Sequence, residues 1–570
     1  MSATLIYRDV DETGTATVST ASILLPGCNV SRLFGSTAVP GTAQSSNEPL
    51  CLETADYSLP DGSLATPVEL EVAFSQCRSS AGLTFTFDEA NDTFAALFEV
   101  NWYRDGVLLT ASMFSADKPV YTAACAVERY DRLTVRFLKL NCGGVRLRVS
   151  NILCGVVRVI NAADFIKGGC EVFLAADPTL ATLPIGSVKF TFIASNDIPF
   201  YFAKRQTLQL YWNDELFGTY YLDSGVVAKG AAHSRVEIDA VDALGLVDQF
   251  GPYSGDAYLG DEAGPVLRAI VGGAAPVDID PLYEHKLTWG WIPRGGRRDA
   301  LAQLAFSLGA VIGVTPDGCI AMKPPVQSVT VLDGNSLYDN SAVTFQPPVT
   351  TLELTVHKID PEHIGQETVC EEVVSGTRTI LFDHPMNYIH IGCGTILECS
   401  ANHVTFTGDG VNETIIQCMP FTHTTILERR GNGMAGKGAE EKVLALSDMT
   451  MVNPMNYAEV LDRLLPLTKQ DRIFESDILL PLAASGNMGV TAVTTDAPPF
   501  FAFCPLPHAC CVAAGMSGAV TRLALTFGSR RVRAAVTVIG VEAVPATHGA
   551  LAANKHAVLA DHSHTQVMYM

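Results

Sequence analysis

The chain has 570 residues, with 38 Lys+Arg against 60 Asp+Glu and a formal net charge of −22. At about 150 residues per domain, this length predicts three or four domains. Hydrophobic residues make up 48% of the chain and charged residues 17%, which excludes wholesale disorder. The negative charge disfavours binding to the phosphates of nucleic acids, and 47 Gly and 30 Pro without a period are typical of many turns.

The 15 cysteines are an odd number at irregular spacings, and this pattern predicts reduced, mostly buried thiols. The N-terminus carries acids where a signal peptide has a basic region before an apolar run. The longest apolar stretch, around 304–314, is too short for the ~30 Å of hydrocarbon in a bilayer. We therefore expect synthesis in a reducing cytoplasm and no membrane anchor.

The first predicted domain, 1–165, is an antiparallel β-sandwich of the jelly-roll type. Apolar and polar residues alternate along 68–75 and again along 133–137, as in half-buried strands. Arg104-Asp105-Gly106 predicts a hairpin turn between two such strands. Short alternating strands with polar turns every ten or so residues are typical of a sandwich.

The second predicted domain, 166–345, combines strands with helices. Two strand-rich segments come first, with Asn213-Asp214 at a predicted hairpin tip, and a short helix is predicted near 243–249. A longer helix is predicted over 298–308, and a hairpin with a Pro-Asp-Gly turn follows it. The helix has an apolar stripe at three- and four-residue spacings, formed by Ala300, Leu301, Leu304, Ala305 and Leu308.

The third predicted domain, 346–545, is again mainly strands. One helix interrupts them, with Asn453 as its N-cap and Pro454 at its first position. The last residues, 546–570, are predicted to be a flexible tail or one ordered by a partner. The predicted fold class is therefore mainly β with α+β insertions.

No motif carries a complete catalytic or cofactor-binding signature. Gly431 to Gly438 has the spacing of a phosphate-binding loop, but Gly438 lacks the hydroxyl that such a loop supplies to Mg²⁺. His562 and His564 are weak metal-ligand candidates in an H-x-H arrangement, and a solvated polar tail is the alternative interpretation. We predict a protein that is not an enzyme and that uses no cofactor.

The stretch 185–330 carries a more specific pattern, in which a strand leads into SRVEIDAVDALGLVDQF, then into a G-W-I-P segment and a helix that begins R-D-A-L-x-Q. It resembles the hub proteins of phage tails and of prophage tail modules in Gram-positive gut bacteria. The matching residues are Glu237, Asp242, Gly245, Asp248, Gly290, Trp291, Ile292, Pro293, Arg298, Asp299, Ala300, Leu301 and Gln303.

The resemblance implies a homotrimeric hub in the virion, at the tail tip or baseplate, that closes the distal end of the tail tube and anchors the tip proteins. Each subunit would carry two tube-like β-barrels, and the matching residues would have architectural roles. The implied partners are other copies of this chain, the distal tail or tail tube protein, the tape-measure protein, and tip fibre or receptor-binding proteins. DNA would be only passing cargo, which suits an acidic chain because phosphates do not adhere to it.

We further predict that strands at 188–240 and 346–420 form the ring and that the helix over 298–308 lies outside it. The apolar stripe of this helix would pack on the barrel. Arg297 and Arg298 would then be free to meet acids of a neighbouring chain.

An alternative function is adhesion to a host receptor or cell-wall glycan through the first domain. A β-sandwich with exposed aromatic rings suits stacking on sugars. The candidate rings are Trp102, Tyr103, Tyr121 and Tyr130, for which ordinary core packing is the competing interpretation.

Overall fold

The structure is a computed structural model that describes residues 3–10, 16–26, 28–33, 51–177, 179–195, 202, 206–212, 215–231, 233–324, 328–331, 341–363, 365–432, 441–481, 509–513, 516–527 and 531–542. Strands predominate over helices in these residues, which confirms a mainly β fold. No helix among them is long and apolar enough to cross a bilayer.

The N-terminal β domain comprises strands β2–β8 and one core. Its register pairs Leu70 with Val135 and Val72 with Leu133, and all four side chains are buried, so the predicted alternation is confirmed. The strands are β2 Ala16–Ser19, β3 Leu52–Glu53, β4 Ser63–Phe87, β5 Leu97–Arg104, β6 Val107–Phe114, β7 Val120–Lys139 and β8 Arg148–Asn161, with a 3-10 turn at Val30–Arg32.

The hairpin between β5 and β6 turns where the sequence predicts it. Arg104 pairs with Val107, and the two residues between them, Asp105 and Gly106, have φ values of 49° and 80°. Two successive positive φ values match the twist of a two-residue hairpin, which is why Asp-Gly is favoured there.

The large sheet collects strands from distant parts of the chain. β9 pairs with β10 on one side and with β29 on the other, so strands from both sides of position 346 share one sheet and one core. The domain limits given above stay a prediction. The strands are β1 Ala3–Val10, β9 Phe165–Ala175, β10 Ser187–Ser195, β11 Thr207–Trp212, β12 Glu215–Lys229, β13 His233–Val241, β19 Ser328–Val331, β20 Ala342–Phe345, β27 Arg472–Pro481, β28 Ala509–Ala513, β29 Met516–Phe527 and β30 Arg531–Glu542.

The helical module follows β13 and has its own core. The predicted long helix is present as α4, and its stripe of Ala300, Leu301, Leu304, Ala305 and Leu308 is buried. The stripe packs in this module's own core, with residues of α1 and α2, so the prediction that it packs on the barrel strands is wrong. The elements are α1 Ala243–Asp248, β14 Asp256–Glu262, α2 Ala263–Val271, β15 Val277–Ile279, α3 Pro281–Glu284, β16 Leu287–Ile292, α4 Arg297–Leu308, β17 Val311–Val314 and β18 Ile320–Lys323.

The long-strand sheet is built around β25, which pairs with β22–β24 along its first half and with β21 along its second. Helix α5 packs on β21 through Val460, Leu461 and Leu464. The elements are β21 Thr351–His363, β22 Glu367–Leu381, β23 Met386–Ile391, β24 Thr395–Ser400, β25 His403–Gly431, β26 Val443–Leu446 and α5 Tyr457–Leu464, which a 3-10 turn at Leu465–Lys469 extends.

The start of α5 was predicted wrongly. The helix begins at Tyr457 with Asn456 at the cap, and Asn453 lies three residues before that cap. The Asn453 amide instead donates to the Trp289 carbonyl at 3.0 Å and to the Met451 carbonyl at 3.1 Å. The Asn453 Oδ1 accepts from the Met455 amide at 2.8 Å, so this side chain stabilises the turn before α5 while its amide also contacts a residue more than 160 positions away.

Strand β8 joins the N-terminal β domain to the large sheet without a break. Its first half pairs with β4, from Val149 with Phe87 to Cys154 with Leu83. Its second half pairs with β1, up to Asn161 with Thr4. Within the described residues no sheet closes into a barrel, so the tube-like ring stays a prediction about the assembled protein.

Candidate functional site

The family-matching residues lie mainly in and around the helical module, and Asp242 lies where this module meets the large sheet. It is the N-cap of α1, and its Oδ1 accepts from the Leu244 and Gly245 amides at 3.0 and 3.1 Å. Its Oδ2 accepts from the Gly186 amide at 2.7 Å. Asp242 therefore fixes the start of α1 to the turn before β10, where the large sheet meets the helical module.

Gly245 is needed for the same junction. A Cβ at this position would lie 2.6 Å from Val241 Cβ and 2.9 Å from Ile185 Cγ2. Such distances are shorter than real carbon contacts, so α1 can approach β13 this closely only with glycine there.

Arg298, at the start of α4, is bound within its own chain. Its Nε donates to Asp248 Oδ2 at 2.8 Å, and its Nη1 donates to the Leu183 carbonyl at 2.8 Å. Arg297 likewise donates to the carbonyls of Ile270 and Gly251, at 2.5 and 3.1 Å. The expectation that both arginines are free to meet a neighbouring chain is therefore wrong, because carbonyls and a carboxylate of this subunit occupy them.

We expect Arg298→Glu to destabilise the subunit itself. The new carboxylate would face Asp248 and the Leu183 carbonyl, and this arrangement should cost about 2 kcal/mol of unfolding free energy. Arg235→Glu is the matched control, since the Arg235–Glu237 pair is more exposed and should cost under about 1 kcal/mol. Urea unfolding and a sizing column on both variants check this. Subunits of unchanged stability that fail to associate would place Arg298 in an interface instead.

An apolar cavity of ≈110 Å³ lies beside Asp242. Leu174, Leu183, Phe217 and Val311 are among its lining residues. Burial raises the pKa of Asp242 to about 6, although the three backbone amides and the charge of Arg298 act in the opposite direction. The carboxyl is therefore partly protonated in the folded protein near neutral pH.

The raised pKa of Asp242 predicts a pH-dependent stability. Between the ordinary pKa of 3.8 and about 6, the folded state holds a proton that the unfolded state releases, so rising pH lowers stability across this window. Asp242→Asn should lack this contribution, and the difference in unfolding free energy between wild type and variant should shift with pH from 4 to 6 and level off above. Urea unfolding at five pH values measures it. A difference that is constant from pH 4 to 7 would contradict the assignment.

Gly290, Trp291 and Gln303 tie the helical module to residues 448–451. Gln303 Nε2 donates to the Asp448 carbonyl at 2.5 Å, and Thr450 Oγ1 donates to the Trp291 carbonyl. Gly290 has φ +125°, and a Cβ there would lie 2.7 Å from Met451 Cα. The G-W-I-P segment therefore packs with its backbone directly against the backbone of the chain before α5.

The remaining matching residues are more peripheral. Glu237 is half-buried on β13 and pairs with Arg235, and Pro293 is exposed after β16. Asp299 is exposed in the first turn of α4, where a carboxylate is favourable. The structure thus places most of the matching residues at two contacts of the helical module, one with the large sheet and one with residues 448–451, and leaves these three outside both contacts.

A histidine pair lies close to Trp291 and was not predicted as a unit. His357 Nδ1 and His423 Nε2 are 3.1 Å apart, and His357 Nε2 is 3.3 Å from the Ser447 carbonyl. A carbonyl only accepts, so His357 Nε2 carries the proton and His423 donates to His357. Burial lowers the pKa of both rings, which keeps the pair neutral and holds β21, β25 and the chain after β26 together.

The proposed aromatic platform is not an exposed surface as a set. Trp102 and Tyr130 are fully buried, so core packing is the correct interpretation for these two rings. Tyr103 is half-buried with Arg132 over its ring, and Tyr121 packs edge-on against Phe98. A different ring, Tyr57, is 56% exposed in the same domain.

The metal and thiol predictions have separate outcomes. His562 and His564 lie outside the described residues, and within the described part no three His, Cys, Asp or Glu side chains form a metal-binding group. The 12 cysteines whose side chains the structure describes form no disulfide. Five of them are buried, so the expectation of mostly buried thiols is wrong for the described cysteines: the buried ones are Cys51, Cys154, Cys170, Cys370 and Cys418.

Two solved structures to which this chain is similar are prophage tail proteins. The 43 kDa tail protein of prophage MuSo2 from Shewanella oneidensis matches with 9% identity and a TM-score of 0.39, over 67% of this chain and 95% of that one. The chain is similar to prophage tail proteins. Prophage tail protein gp18 from Listeria monocytogenes matches with 9% identity and a TM-score of 0.37, over 68% of this chain and 92% of that one.

A further match covers a smaller part of the chain. The family 32 carbohydrate-binding module of Clostridium perfringens NanJ, solved in complex with galactose, has 15% identity and a TM-score of 0.19, over 26% of this chain and 97% of that one. No family model and no curated protein matches the sequence. All three TM-scores lie below 0.5, so these similarities carry no argument about function, which has to be argued from the residues of this chain.

Proposed function

We propose that this protein is the hub of a phage tail tip or baseplate, a homotrimeric virion component that closes the distal end of the tail tube and anchors tip proteins. Its role is structural rather than enzymatic. Its partners are further copies of itself, the distal tail or tube protein, the tape-measure protein and tip fibre or receptor-binding proteins.

One observation carries the proposal. Most of the residues that match the hub pattern between 237 and 303 hold the helical module in place at two contacts: Asp242 caps α1 and Arg298 binds Asp248 beside the large sheet, and Gly290 contacts Met451 before α5. Asp242 and Arg298 supply charged hydrogen-bonding groups and Gly290 leaves room for the backbone of Met451, so the pattern falls on residues that hold the module in place, which supports the proposal.

The charge of the chain supports the same role. A chain with a net charge of −22 repels DNA phosphates, so a channel formed by copies of it would let DNA pass without holding it. The large sheet has one buried face and one face with alternating polar residues, such as Lys189 opposite Asp239. Such a sheet can face a water-filled lumen once subunits close a ring.

The experiment that tests the hub is a mass measurement followed by localisation. Native mass spectrometry of the purified chain should give three times the 60.9 kDa subunit mass. Antibody labelling of intact particles should then mark the tail tip and not the head or tube. A monomer at all concentrations up to 50 μM that is also absent from particles would overturn the proposal.

A second candidate function is adhesion through the N-terminal β domain. The observation that favours it is Tyr57, a large ring 56% exposed on a loop of that domain. Adhesion would add to the hub role, since β8 fixes this domain to the large sheet. Binding of the full chain to purified cell walls tests it in general terms.

A further inference from the structure

Tyr57 forms a stacked pair with Arg146 at one end of the N-terminal β domain. The guanidinium carbon lies 4.4 Å from the centre of the Tyr57 ring. Since Tyr57 remains 56% exposed with one face covered by Arg146, its opposite face is open to solvent. Leu59, two residues on, is also 46% exposed, so the same loop exposes a second apolar side chain.

The pair is held in place because Ser58 makes four hydrogen bonds to residues 142–145, in the loop that precedes Arg146. The Ser58 amide donates to the Val145 carbonyl at 2.8 Å, and the Val145 amide donates to Ser58 Oγ at 3.2 Å. Ser58 Oγ also donates to the Cys142 carbonyl at 3.1 Å, and the Gly144 amide donates to the Ser58 carbonyl at 3.1 Å. The ring and the guanidinium are thus pre-organised before any ligand arrives.

The side chains of Arg146 and Glu53 have hydrogen-bonding groups without partners among the described residues. Arg146 Nε is buried without a hydrogen-bond partner, and among the described residues Nη1 and Nη2 make no hydrogen bond either: Nη1 forms only an ion pair with Glu53 Oε1, at 3.8 Å, so the two terminal nitrogens are the donors left for a ligand. Glu53 Oε1 already accepts twice from Arg148, at 3.0 and 3.1 Å. Within the described chain no hydrogen bond reaches Glu53 Oε2, so donors and an acceptor both remain available.

A guanidinium with free donors, a carboxylate oxygen and an open aromatic face match one ligand chemistry. A sugar hydroxyl both donates and accepts, and the C–H face of a pyranose stacks on an aromatic ring. A phosphate or other anion fits poorly, because Glu53 stands beside the arginine and the whole chain is strongly negative. A bare apolar peptide would leave the guanidinium unsatisfied.

We propose that Tyr57, Arg146 and Glu53 form a saccharide-binding site that takes the ring of a neutral sugar. Tyr57 supplies the stacking face, Arg146 donates to ring hydroxyls, and Glu53 accepts from one of them. This inference rests on the second proposed function, adhesion through the N-terminal β domain, and names the ligand class and the residues for it.

Saturation-transfer difference NMR on the full chain tests the site. The probes are galactose, glucose, N-acetylglucosamine and lactose, each at 5 mM, with inorganic phosphate followed in parallel by phosphorus linewidth. At least one sugar should receive saturation at its C–H protons, and phosphate should show no broadening. Tyr57→Ala should weaken the binding roughly tenfold or more, and Tyr57→Phe should retain it because the ring remains.

The matched control is Tyr103→Ala. Tyr103 also has an arginine at 4.4 Å over its ring, but that residue, Arg132, is satisfied by Glu71 at 2.9 Å. This variant should bind as wild type does. Arg146→Lys should weaken the sugar signal while keeping the charge, because lysine lacks the planar fork.

Three outcomes would overturn the inference. They are no saturation with any of the four sugars, equal saturation in wild type and Tyr57→Ala, or phosphate broadening that Tyr57→Ala leaves and Arg146→Lys abolishes. Circular dichroism on each variant separates misfolding from loss of the site. If cell walls still bind the full chain while all four sugars fail, adhesion stands and only this site is wrong. The trimer measurement is independent of both.

Discussion

Leu304→Asp is expected to unfold the helical module. Leu304 is fully buried in the middle of α4, within the core that this helix shares with α1 and α2. The substitution removes a leucine from a packed core and places a carboxylate there without a partner, which together should cost about 5 kcal/mol or more. In calorimetry we expect the cooperative melting transition of the module to disappear, and we expect soluble expression to fall.

Asp299→Ala on the same helix is the control. Asp299 is exposed in the first turn, so its loss removes only a favourable interaction with the helix N-terminus and should cost under about 1 kcal/mol. A Leu304→Asp protein that melts like wild type would mean that this stripe does not form the core of the module.

Gly290→Ala is expected to break the contact between β16 and the chain before α5. The backbone at Gly290 has φ +125°, and an added Cβ would lie 2.7 Å from both Met451 Cα and the Thr450 carbonyl oxygen. Backbone atoms cannot rotate away as a side chain can, so the cost should be about 3 kcal/mol. Urea unfolding measures it, and faster proteolysis near 448–456 would locate it.

Gly273→Ala separates the effect of φ from the effect of the clash. Gly273 has φ +76°, and an added Cβ there would meet nothing within 4 Å, so only the left-handed backbone penalises alanine, by about 1 kcal/mol. Equal losses for the two variants would mean that the approach of Met451 to Gly290 relaxes freely.

Sequence patterns predicted the strands, turns and helices better than they predicted the hydrogen-bond partners of individual side chains. The alternation along β4 and β7, the turn at Asp105-Gly106 and the stripe of α4 follow from local periodicity, and the structure has all of them. Arg298 looked like a free helix-start arginine, yet its partners are Asp248 and the Leu183 carbonyl, 50 and 115 positions away. Local spacing does not encode which distant carbonyl a side chain reaches.

The same limit applies to the candidate sites. Trp102 and Tyr130 were plausible sugar-stacking rings by type, but their burial depends on which strand face they occupy. Tyr57 lies outside any periodic pattern, and only the Ser58 hydrogen bonds show that its loop is fixed beside Arg146. His357 and His423 lie 66 positions apart, and the pairing of β21 with β25 brings their rings together.

Strand β8 has a mechanical consequence. Its first half is hydrogen-bonded to β4 of the N-terminal β domain and its second half to β1 of the large sheet. A force applied to the N-terminal β domain is therefore carried along one continuous backbone into the large sheet. Force along a strand loads its ladder of hydrogen bonds in shear, and several must rupture together before the chain can lengthen. A tether of flexible peptide would stretch first and absorb the displacement. A load applied to the N-terminal β domain would therefore reach the large sheet with little extension of the chain between them.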